Sequence, residues 1–220
     1  MTDSPTADFD AKFIGRFGSL GGVDEVGRGA IAGPLAIGLV VVDGTRAAPA
    51  GLKDSKLLSA KARAYLAPRI VAWSQASAVG WASPQEVSDQ GIMAALRLAT
   101  ERALHLVEVS LRARGLPKVG ALLLDGNYDW MGEDDLFSTP RPRTHPATFT
   151  QVKGDRVSQA VAAASILAKV RRDTYMSEVA DPGYGWVSNK GYATKSHARA
   201  IGDLGLCRQH RSGWNLAGLA

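Results

Sequence analysis

Residues 20–42 read LGGVDEVGRGAIAGPLAIGLVVV, an aliphatic stretch interrupted by Gly-Arg-Gly and Gly-Pro. Aliphatic runs bounded by turn-forming residues predict two or more strands here. Beyond a loop, Ser59 is placed to cap a helix that runs to about Trp73, and Ala76–Ala82 alternates enough for a short strand. Apolar residues recur at helical spacing over Asp89–Arg114, which predicts a long helix.

The second half of the chain continues with strand and helix patterns. Val119–Leu124 is apolar throughout and indicates a buried strand, and Thr148–Val152 indicates another. A helix is expected from Asp155 to about Val179, with small residues where it packs closely against the sheet, and helix propensity returns at Ser196–Leu204. Residues 126–146 are expected to form a long surface loop. Strands followed by alternating helices and strands indicate an α/β fold with a mixed sheet.

The length of 220 residues favours a single domain over residues 19–220, preceded by a flexible lead-in at residues 1–18 that lacks periodicity. One cysteine, Cys207, excludes an internal disulfide and is consistent with a cytoplasmic setting. The apolar run Ala30–Val42 is too short to span a bilayer and too far from the N-terminus for a signal peptide. We expect a soluble, unexported monomer with no membrane partner.

Positive charge is concentrated towards the C-terminus. Residues 1–140 hold 14 Lys or Arg and 16 Asp or Glu, whereas residues 141–220 hold 12 and five. A basic C-terminal third suits a polyanion such as nucleic acid, because each neutralised phosphate releases counterions. A basic solvated surface without a partner would show the same balance, so charge alone leaves both interpretations open.

Two adjacent acids, Asp24 and Glu25, stand in the first aliphatic stretch. In a regular strand they point to opposite faces, whereas at a strand end both can reach one ion. A buried carboxylate is costly unless a cation such as Arg28 or a metal ion offsets it. The alternative is a solvated turn with both acids exposed. The following Gly-Arg-Gly lacks the G-x-G-x-x-G pattern of dinucleotide-binding loops, so its glycines are expected to let the backbone approach another ligand.

Two further acids follow predicted strands. Asp125 comes directly after an apolar strand, where α/β folds place site residues, but the tripeptide DGN at 125–127 is also an ordinary turn sequence. Asp155, in the tripeptide KGD, stands at the start of a predicted helix, where capping and the helix dipole favour an acid in any case. Each of these acids therefore has a structural interpretation beside the functional one.

Taken together, Asp24, Glu25, Asp125 and Asp155 could assemble a pair of divalent-ion sites. Oxygen ligands suit Mg²⁺ or Mn²⁺, and the near absence of cysteine excludes a thiolate zinc site. Two such ions can hold the attacking water and the leaving oxygen of an in-line phosphoryl displacement. The set therefore predicts metal-assisted chemistry at phosphorus.

A series of motifs in order resembles the type 2 ribonuclease H family, bacterial ribonuclease HII. The motifs are GVDEVGRG at 22–29, DSK at 54–56, DGN at 125–127, KGD at 153–155, AAASILAK at 162–169 followed by Arg172-Asp173, and Gly191-Tyr192. The resemblance covers nearly the whole chain and implies an RNase H-like α/β fold, with a central mixed five-stranded sheet flanked by helices and a helical C-terminal region. It also implies an endoribonuclease that cleaves the RNA strand of RNA–DNA hybrids and cuts 5′ to single ribonucleotides in duplex DNA.

The resemblance assigns roles to individual residues. The catalytic, metal-binding acids would be Asp24, Glu25, Asp125 and Asp155, with two Mg²⁺ or Mn²⁺ ions bound during catalysis and Asp173 outside the set. The substrate-binding residues would be Gly27, Arg28 and Gly29, which read the 2′-hydroxyl at an RNA–DNA junction, Tyr192, which packs on the following deoxyribose, and Lys56, Ser165 and Lys169, which contact phosphates. The products would carry a 3′-hydroxyl and a 5′-phosphate.

The chain departs from the family pattern in three places. Ala193 stands where Pro commonly follows the tyrosine, Gly91 stands where Asn is frequent, and the loop at 127–146 is longer than usual and acidic. His197 and the tripeptide His-Arg-Ser at 210–212 match the pattern, and they are expected to support the site or contact DNA.

Two alternatives to this function are considered. Type 3 ribonuclease H shares the fold but usually carries an extra N-terminal nucleic-acid-binding domain, which residues 1–18 are too short to supply. A catalytically silent module that binds RNA–DNA hybrids is the alternative from another class, and four intact acids argue against it.

Overall fold

A computed structural model describes residues 4–132 and 145–213. Its strands are β1 (Leu20–Val26), β2 (Leu35–Val42), β3 (Ala76–Ala82), β4 (Ala121–Asp125) and β5 (Ala147–Gln151). Its helices are α1 (Ala7–Phe17), α2 (Ala60–Trp73), α3 (Pro84–Ala113), α4 (Gln159–Glu178), α5 (Trp186–Asn189) and α6 (Lys195–Leu204), and 3-10 turns cover Ser55–Leu57 and Gly154–Arg156. The strands predicted at both ends of the stretch 20–42 and at 76–82 are confirmed.

The five strands form one mixed sheet in the order β3-β2-β1-β4-β5. β1, β2 and β3 pair antiparallel, whereas β4 and β5 run parallel to β1. Leu39 and Val41 of β2 pack in one core with α3, while Val40 and Val42 pack in a second core with α2 and α4. Because side chains alternate across a strand, these cores cover opposite faces of the sheet. The expected α/β fold with a mixed five-stranded sheet flanked by helices is confirmed.

Helix α4 lies unusually close to β1. A β-carbon at Gly22 would lie 2.2 Å from the backbone carbon of Ala160, so only glycine leaves room for the helix there. The helix side of this contact is the run Ala160–Ala168, whose residues are all buried. The predicted close packing of small residues against the sheet is therefore confirmed, and it brings the middle of α4 next to Asp24.

Two helices begin at other residues than the sequence pattern indicated. α3 begins at Pro84 rather than Asp89, because Ser83 and Glu86 form a reciprocal capping box before the apolar periodicity starts. Its backbone is non-helical at Gly91 (φ 79°), so two helical segments meet there. α4 begins at Gln159 rather than Asp155, which lies in a separate 3-10 turn.

The lead-in expected at residues 1–18 is helical over most of its length. α1 covers Ala7–Phe17, and Asp10 on this helix is buried and accepts the backbone N–H of Ala160 at 3.0 Å. The expectation of a segment without helical structure is wrong here: Asp10 is hydrogen-bonded to the start of α4, Phe13 packs against Phe149 of the sheet, and acids in the first turn of α1 and Gly18 after its last turn are local helix signals. Most of the loop expected at 126–146 lies outside the described residues.

Across residues 4–132 and 145–213, none of the helices combines the length and the apolar character needed to cross a bilayer.

Candidate active site

A pocket of about 270 Å³ opens at the C-terminal end of β1. Its lining contains two of the predicted acids and every predicted substrate-binding residue, namely Asp24, Glu25, Gly27, Arg28, Gly29, Lys56, Ser165, Lys169 and Tyr192, together with Val26 and Ser55. These residues come from β1 and the turn after it, the 3-10 turn before α2, the middle of α4 and the loop before α6. The fold thus gathers distant motifs around one cavity.

The other two predicted acids lie beside this group. β4 runs parallel to β1 in the sheet, so Asp125 at the end of β4 lies at the same edge as Asp24. The backbone N–H of Gly154 donates to Oδ1 of Asp125 at 2.7 Å, which joins the turn holding Asp155 to the end of β4. The charges of both Asp125 and Asp155 act on Asp24. The four acids therefore share one electrostatic environment.

The pair Asp24 and Glu25 is not a solvated turn. Asp24 lies within β1 and is 6% exposed, and its Oδ1 accepts the backbone N–H of Glu25 at 2.8 Å. Burial, and then the charges of Glu25 and Asp125, raise the pKa of Asp24 well above its usual value. Burial also raises the pKa of Glu25, and Arg28, 3.8 Å away, partly opposes that shift. Negative charge at this site exceeds what the nearby cations neutralise.

A fifth carboxylate, that of Asp54, adjoins Asp155. Asp54 is buried, its Oδ1 accepts the backbone N–H of Lys56 at 2.9 Å, and its Oδ2 lies 3.9 Å from Arg156. Burial, followed by the charges of Asp125 and Asp54, raises the pKa of Asp155 to about 6. The side chains of Asp155 and Asp54 also contact each other by a hydrogen bond. Two carboxyl groups can share such a contact only with a proton or a cation between them.

Asp155 does not cap α4. The capping residue is Ser158, whose Oγ accepts the backbone N–H of Val161 at 3.2 Å, while Asp10 accepts the N–H of Ala160. Two other side chains thus satisfy amides at the start of the helix, so the capping interpretation of Asp155 is wrong. Its carboxylate faces the other acids instead.

Lys56 is a cation whose pKa is raised by the neighbouring acids. Burial lowers its pKa, but the charges of Asp24, Asp54 and Asp155 outweigh this effect and raise it overall. Its ammonium group therefore stays protonated and lines the pocket in which a phosphate is predicted to bind.

The two predicted phosphate contacts on α4 have different surroundings. Ser165 is 2% exposed, and its Oγ donates a hydrogen bond to Oγ of Ser55 at 2.7 Å. Lys169 is bound to Asp173 through Nζ and Oδ1 at 2.8 Å. Phosphate contact by Ser165 and Lys169 stays a prediction. Asp173 is engaged with Lys169, outside the acid group.

Two buried arginines, Arg172 and Arg211, contact the turn Gly27–Gly29 and the residues after it, and both are 0% exposed. Arg172 donates to the carbonyl oxygens of Ala32, Pro34 and Lys190, and Arg211 donates to those of Arg28 and Gly33. Burial, and then the charge of Arg172, lower the pKa of Arg211 to about 10. The two guanidinium groups therefore fix the backbone that follows the acids of β1.

The donor chemistry of the acid group fits a hard divalent cation. All of its ligands are carboxylate oxygens, and burial together with mutual repulsion raises the pKa of three of them, Asp24, Glu25 and Asp155. A bound cation would offset that repulsion, and oxygen donors match Mg²⁺ or Mn²⁺. In the part of the chain that the structure describes, no three His, Cys, Asp or Glu side chains converge tightly enough to enclose an ion as they stand. The metal-ligand assignment stays a prediction.

Comparison with known proteins identifies the family. The family model described as Ribonuclease HII matches residues 21–217. Ribonuclease HII of Streptomyces avermitilis is 40% identical over 197 residues, which cover 89% of this chain and 76% of the relative. The chain belongs to the ribonuclease HII family. A second relative in this family, from Caulobacter vibrioides, is 43% identical over 88% of this chain and 82% of its own length.

Solved structures support the fold. Ribonuclease H2 from Pyrococcus horikoshii OT3 superposes with a TM-score of 0.60 at 24% identity, covering 91% of this chain and 95% of that one. Bst-RNase HIII in complex with Mn²⁺ superposes with a TM-score of 0.60 at 21% identity, covering 91% and 68%. The RNase H fold is thereby confirmed, and membership in the ribonuclease HII family makes this chain a metal-dependent ribonuclease H.

Sequence reasoning missed several residues at the site. Asp54 belongs to the recognised DSK motif, but only its lysine was assigned a role, although an acid two residues before that lysine was visible in the sequence. Arg172 likewise follows the AAASILAK motif and was given no role. Arg211 lies in the His-Arg-Ser match at 210–212, which is expected only to support the site or contact DNA, and its partners Arg28 and Gly33 could not be named because they lie far away in sequence.

Proposed function

We propose that this ribonuclease H cleaves the RNA strand of RNA–DNA hybrids and also incises duplex DNA 5′ to a single ribonucleotide. The observation that carries the proposal is the single pocket that joins the acids Asp24 and Glu25 to the Gly27–Gly29 turn and Tyr192. Hydrolysis at an RNA–DNA junction needs a metal-binding group and a ribose-reading group side by side. This pocket brings together the residues that we propose for both.

In this proposal Asp24, Glu25, Asp125 and Asp155 hold two Mg²⁺ or Mn²⁺ ions. When bound, such ions stabilise the charge that develops on the attacking and leaving oxygens of an in-line displacement. The acids' own contribution is to hold ligands in place: Asp24 is tied to the Glu25 amide and Asp125 to the Gly154 amide. A module that only bound hybrids would gain nothing from repelling carboxylates where phosphate must dock.

Substrate selection falls to other residues. The backbone of Gly27–Gly29 reads the 2′-hydroxyl, which can both donate and accept a hydrogen bond and so distinguishes ribose from deoxyribose. Tyr192 packs against the deoxyribose that follows, and Lys56 and Lys169 neutralise phosphates. We further propose that residues 19–220 form one catalytic domain to which α1 is attached.

A duplex with one embedded ribonucleotide tests this function in the presence of Mg²⁺ or Mn²⁺. We expect incision 5′ to the ribonucleotide, with a 3′-hydroxyl that a DNA polymerase can extend. Asp125→Asn is expected to abolish incision while the variant still binds the duplex. Wild-type binding without cleavage on both this duplex and a uniform hybrid would contradict the proposal.

A further inference from the structure

Two buried histidines lie outside the acid group and take no part in the mechanism above. His197 of α6 is 0% exposed and His210 is 7% exposed. Their Nε2 atoms are 3.1 Å apart, which is a hydrogen-bond distance. They lie beside Tyr184 and Trp186, whose rings are stacked with their centroids 5.2 Å apart. An imidazole pair at this depth must have a defined proton arrangement, because a buried hydrogen bond needs one donor and one acceptor.

The neighbours determine that arrangement. Nδ1 of His210 is 3.0 Å from the backbone nitrogen of Cys207, which can only donate, so this Nδ1 accepts and carries no proton. The proton of neutral His210 is then on Nε2, which donates to Nε2 of His197. That leaves the proton of His197 on Nδ1, 3.0 Å from the carbonyl oxygen of Tyr192, which can only accept. In this arrangement of two neutral rings, every ring nitrogen of His197 and His210 has a hydrogen-bond partner of the complementary kind.

An additional proton on either ring would disrupt this series of hydrogen bonds. A proton on Nδ1 of His210 would face the Cys207 amide, and a proton on Nε2 of His197 would face the N–H of His210. Burial lowers the pKa of His210, and any positive charge on His197 would lower it further, which agrees with a neutral ring.

This series of hydrogen bonds ends at the backbone carbonyl of Tyr192, a residue proposed to contact the substrate. Tyr192 lines the catalytic pocket, and its loop continues with Ala193, which lacks the ring that stiffens a proline. At the other end, His210 is adjacent to Arg211, whose N–H donates to the carbonyl of Ile31 at 2.9 Å, two residues after the Gly27–Gly29 turn. The two histidines therefore connect the segment after that turn to the tyrosine loop.

We propose that His197 and His210 are positioning residues, a neutral imidazole pair that holds the Tyr192 carbonyl so that the ring stays over the substrate pocket. This inference rests on the proposed role of Tyr192 and deepens it. The competing explanation is that the pair only fills the core beside Tyr184 and Trp186. Filling the core affects stability and both substrates equally, whereas positioning of Tyr192 affects junction cleavage more than hybrid cleavage.

Two substitutions at His197 separate these explanations. The amide nitrogen of His197→Asn can occupy the place of Nδ1 and still donate to the Tyr192 carbonyl, whereas the amide of His197→Gln reaches the place of Nε2 and leaves the carbonyl without this donor. Losing one such hydrogen bond should lower kcat/KM on a single-ribonucleotide duplex about three- to tenfold relative to a uniform hybrid. We call kcat/KM on the single-ribonucleotide duplex divided by kcat/KM on the uniform hybrid the substrate ratio. His197→Asn should keep most of the wild-type substrate ratio. The exposed His105→Gln serves as the control.

The double variant Tyr192→Ala/His197→Gln distinguishes failure of the inference from failure of the proposed function. If Tyr192→Ala alone leaves the substrate ratio unchanged, the role of Tyr192 is wrong. If Tyr192→Ala lowers the ratio and His197→Gln does not, the positioning role is overturned. We expect His197→Gln to lower the ratio alone but to have no further effect in the Tyr192→Ala background.

Nitrogen NMR of the histidine rings tests the proton arrangement without any substitution. At neutral pH we expect the Nδ1–H tautomer for His197 and the Nε2–H tautomer for His210. The opposite tautomers, or a charged ring in either position, would overturn the proposal even if every variant failed to fold.

Discussion

The guanidinium of Arg172 occupies the space beside Gly27 in which any other residue would place its side chain. A β-carbon on Gly27 would lie 2.1 Å from Nε of Arg172, and the backbone φ of Gly27 is +87°. Arg172 is held there by three backbone carbonyls. The turn that is proposed to read the 2′-hydroxyl is therefore shaped by a side chain from α4.

Gly27→Ala is expected to destabilise the protein and to impair cleavage. A positive φ in a non-glycine residue costs about 1–2 kcal/mol, and displacement of Arg172 adds to this. Gly29→Ala is the matched control for folding, because a β-carbon there meets nothing within 4 Å. Urea unfolding should show a lower free energy of unfolding for Gly27→Ala only. Equal stability of the two variants would contradict the packing argument.

Asp155→Asn is expected to reduce kcat by at least the roughly 10- to 100-fold that loss of an outer-shell partner costs at metal sites. The control is Asp173→Asn, which removes ion pairs to Lys169 and Arg63 that are worth less than about 1 kcal/mol at a partly exposed position. Cleavage rates and Mn²⁺ titration calorimetry should both separate the variants. If Asp173→Asn lost Mn²⁺ binding and Asp155→Asn kept it, the assignment of the fourth acid would be reversed.

Tyr192→Ala is expected to weaken incision at a single ribonucleotide more than cleavage of a uniform hybrid. The proposed contact is made by the face of the ring, so Tyr192→Phe should keep most of the activity. Tyr65→Ala, at a residue that is 59% exposed on α2, controls for loss of an aromatic side chain. Steady-state kinetics on both substrates measure the effect. An unchanged rate for Tyr192→Ala would remove its proposed role.

Asp10 is expected to make the stability of the protein depend on pH. Burial raises the pKa of Asp10 from 3.8 to about 6, although hydrogen bonds from Ser158 and Ala160 oppose this shift. The folded state therefore binds this proton more tightly than the unfolded state, and the free energy of unfolding falls as pH rises between about 4 and 6. The full effect is about 3 kcal/mol, since one pKa unit corresponds to about 1.4 kcal/mol.

Urea unfolding of wild type and Asp10→Asn at pH 4, 6 and 8 isolates this effect from other titrating groups. We expect the wild type to lose more stability than the variant between pH 4 and 6, with a much smaller further loss between pH 6 and 8, where Asp10 completes its titration. Parallel curves for the two proteins would show that Asp10 titrates normally.

Much of the fold could be predicted because it is encoded in local patterns. The strand Ala76–Ala82 has the predicted bounds, and Ser59 caps α2 as expected, since alternation and capping depend on neighbouring residues. α1 was missed although its sequence carries local helix signals: Phe9, Phe13 and Phe17 recur every four residues, acids lie in the first turn and Gly18 follows the last turn.

The sequence by itself determined the family, the mixed sheet and the identity of the candidate acids, because these follow from motifs and from the periodicity of short segments. Only the tertiary structure decided which acids share one environment. Asp155 could have been a helix cap until Ser158 and Asp10 were seen to satisfy the amides of α4, and Asp54 joins the group through space. Burial and mutual repulsion exist only once distant segments meet, so no local pattern can report them.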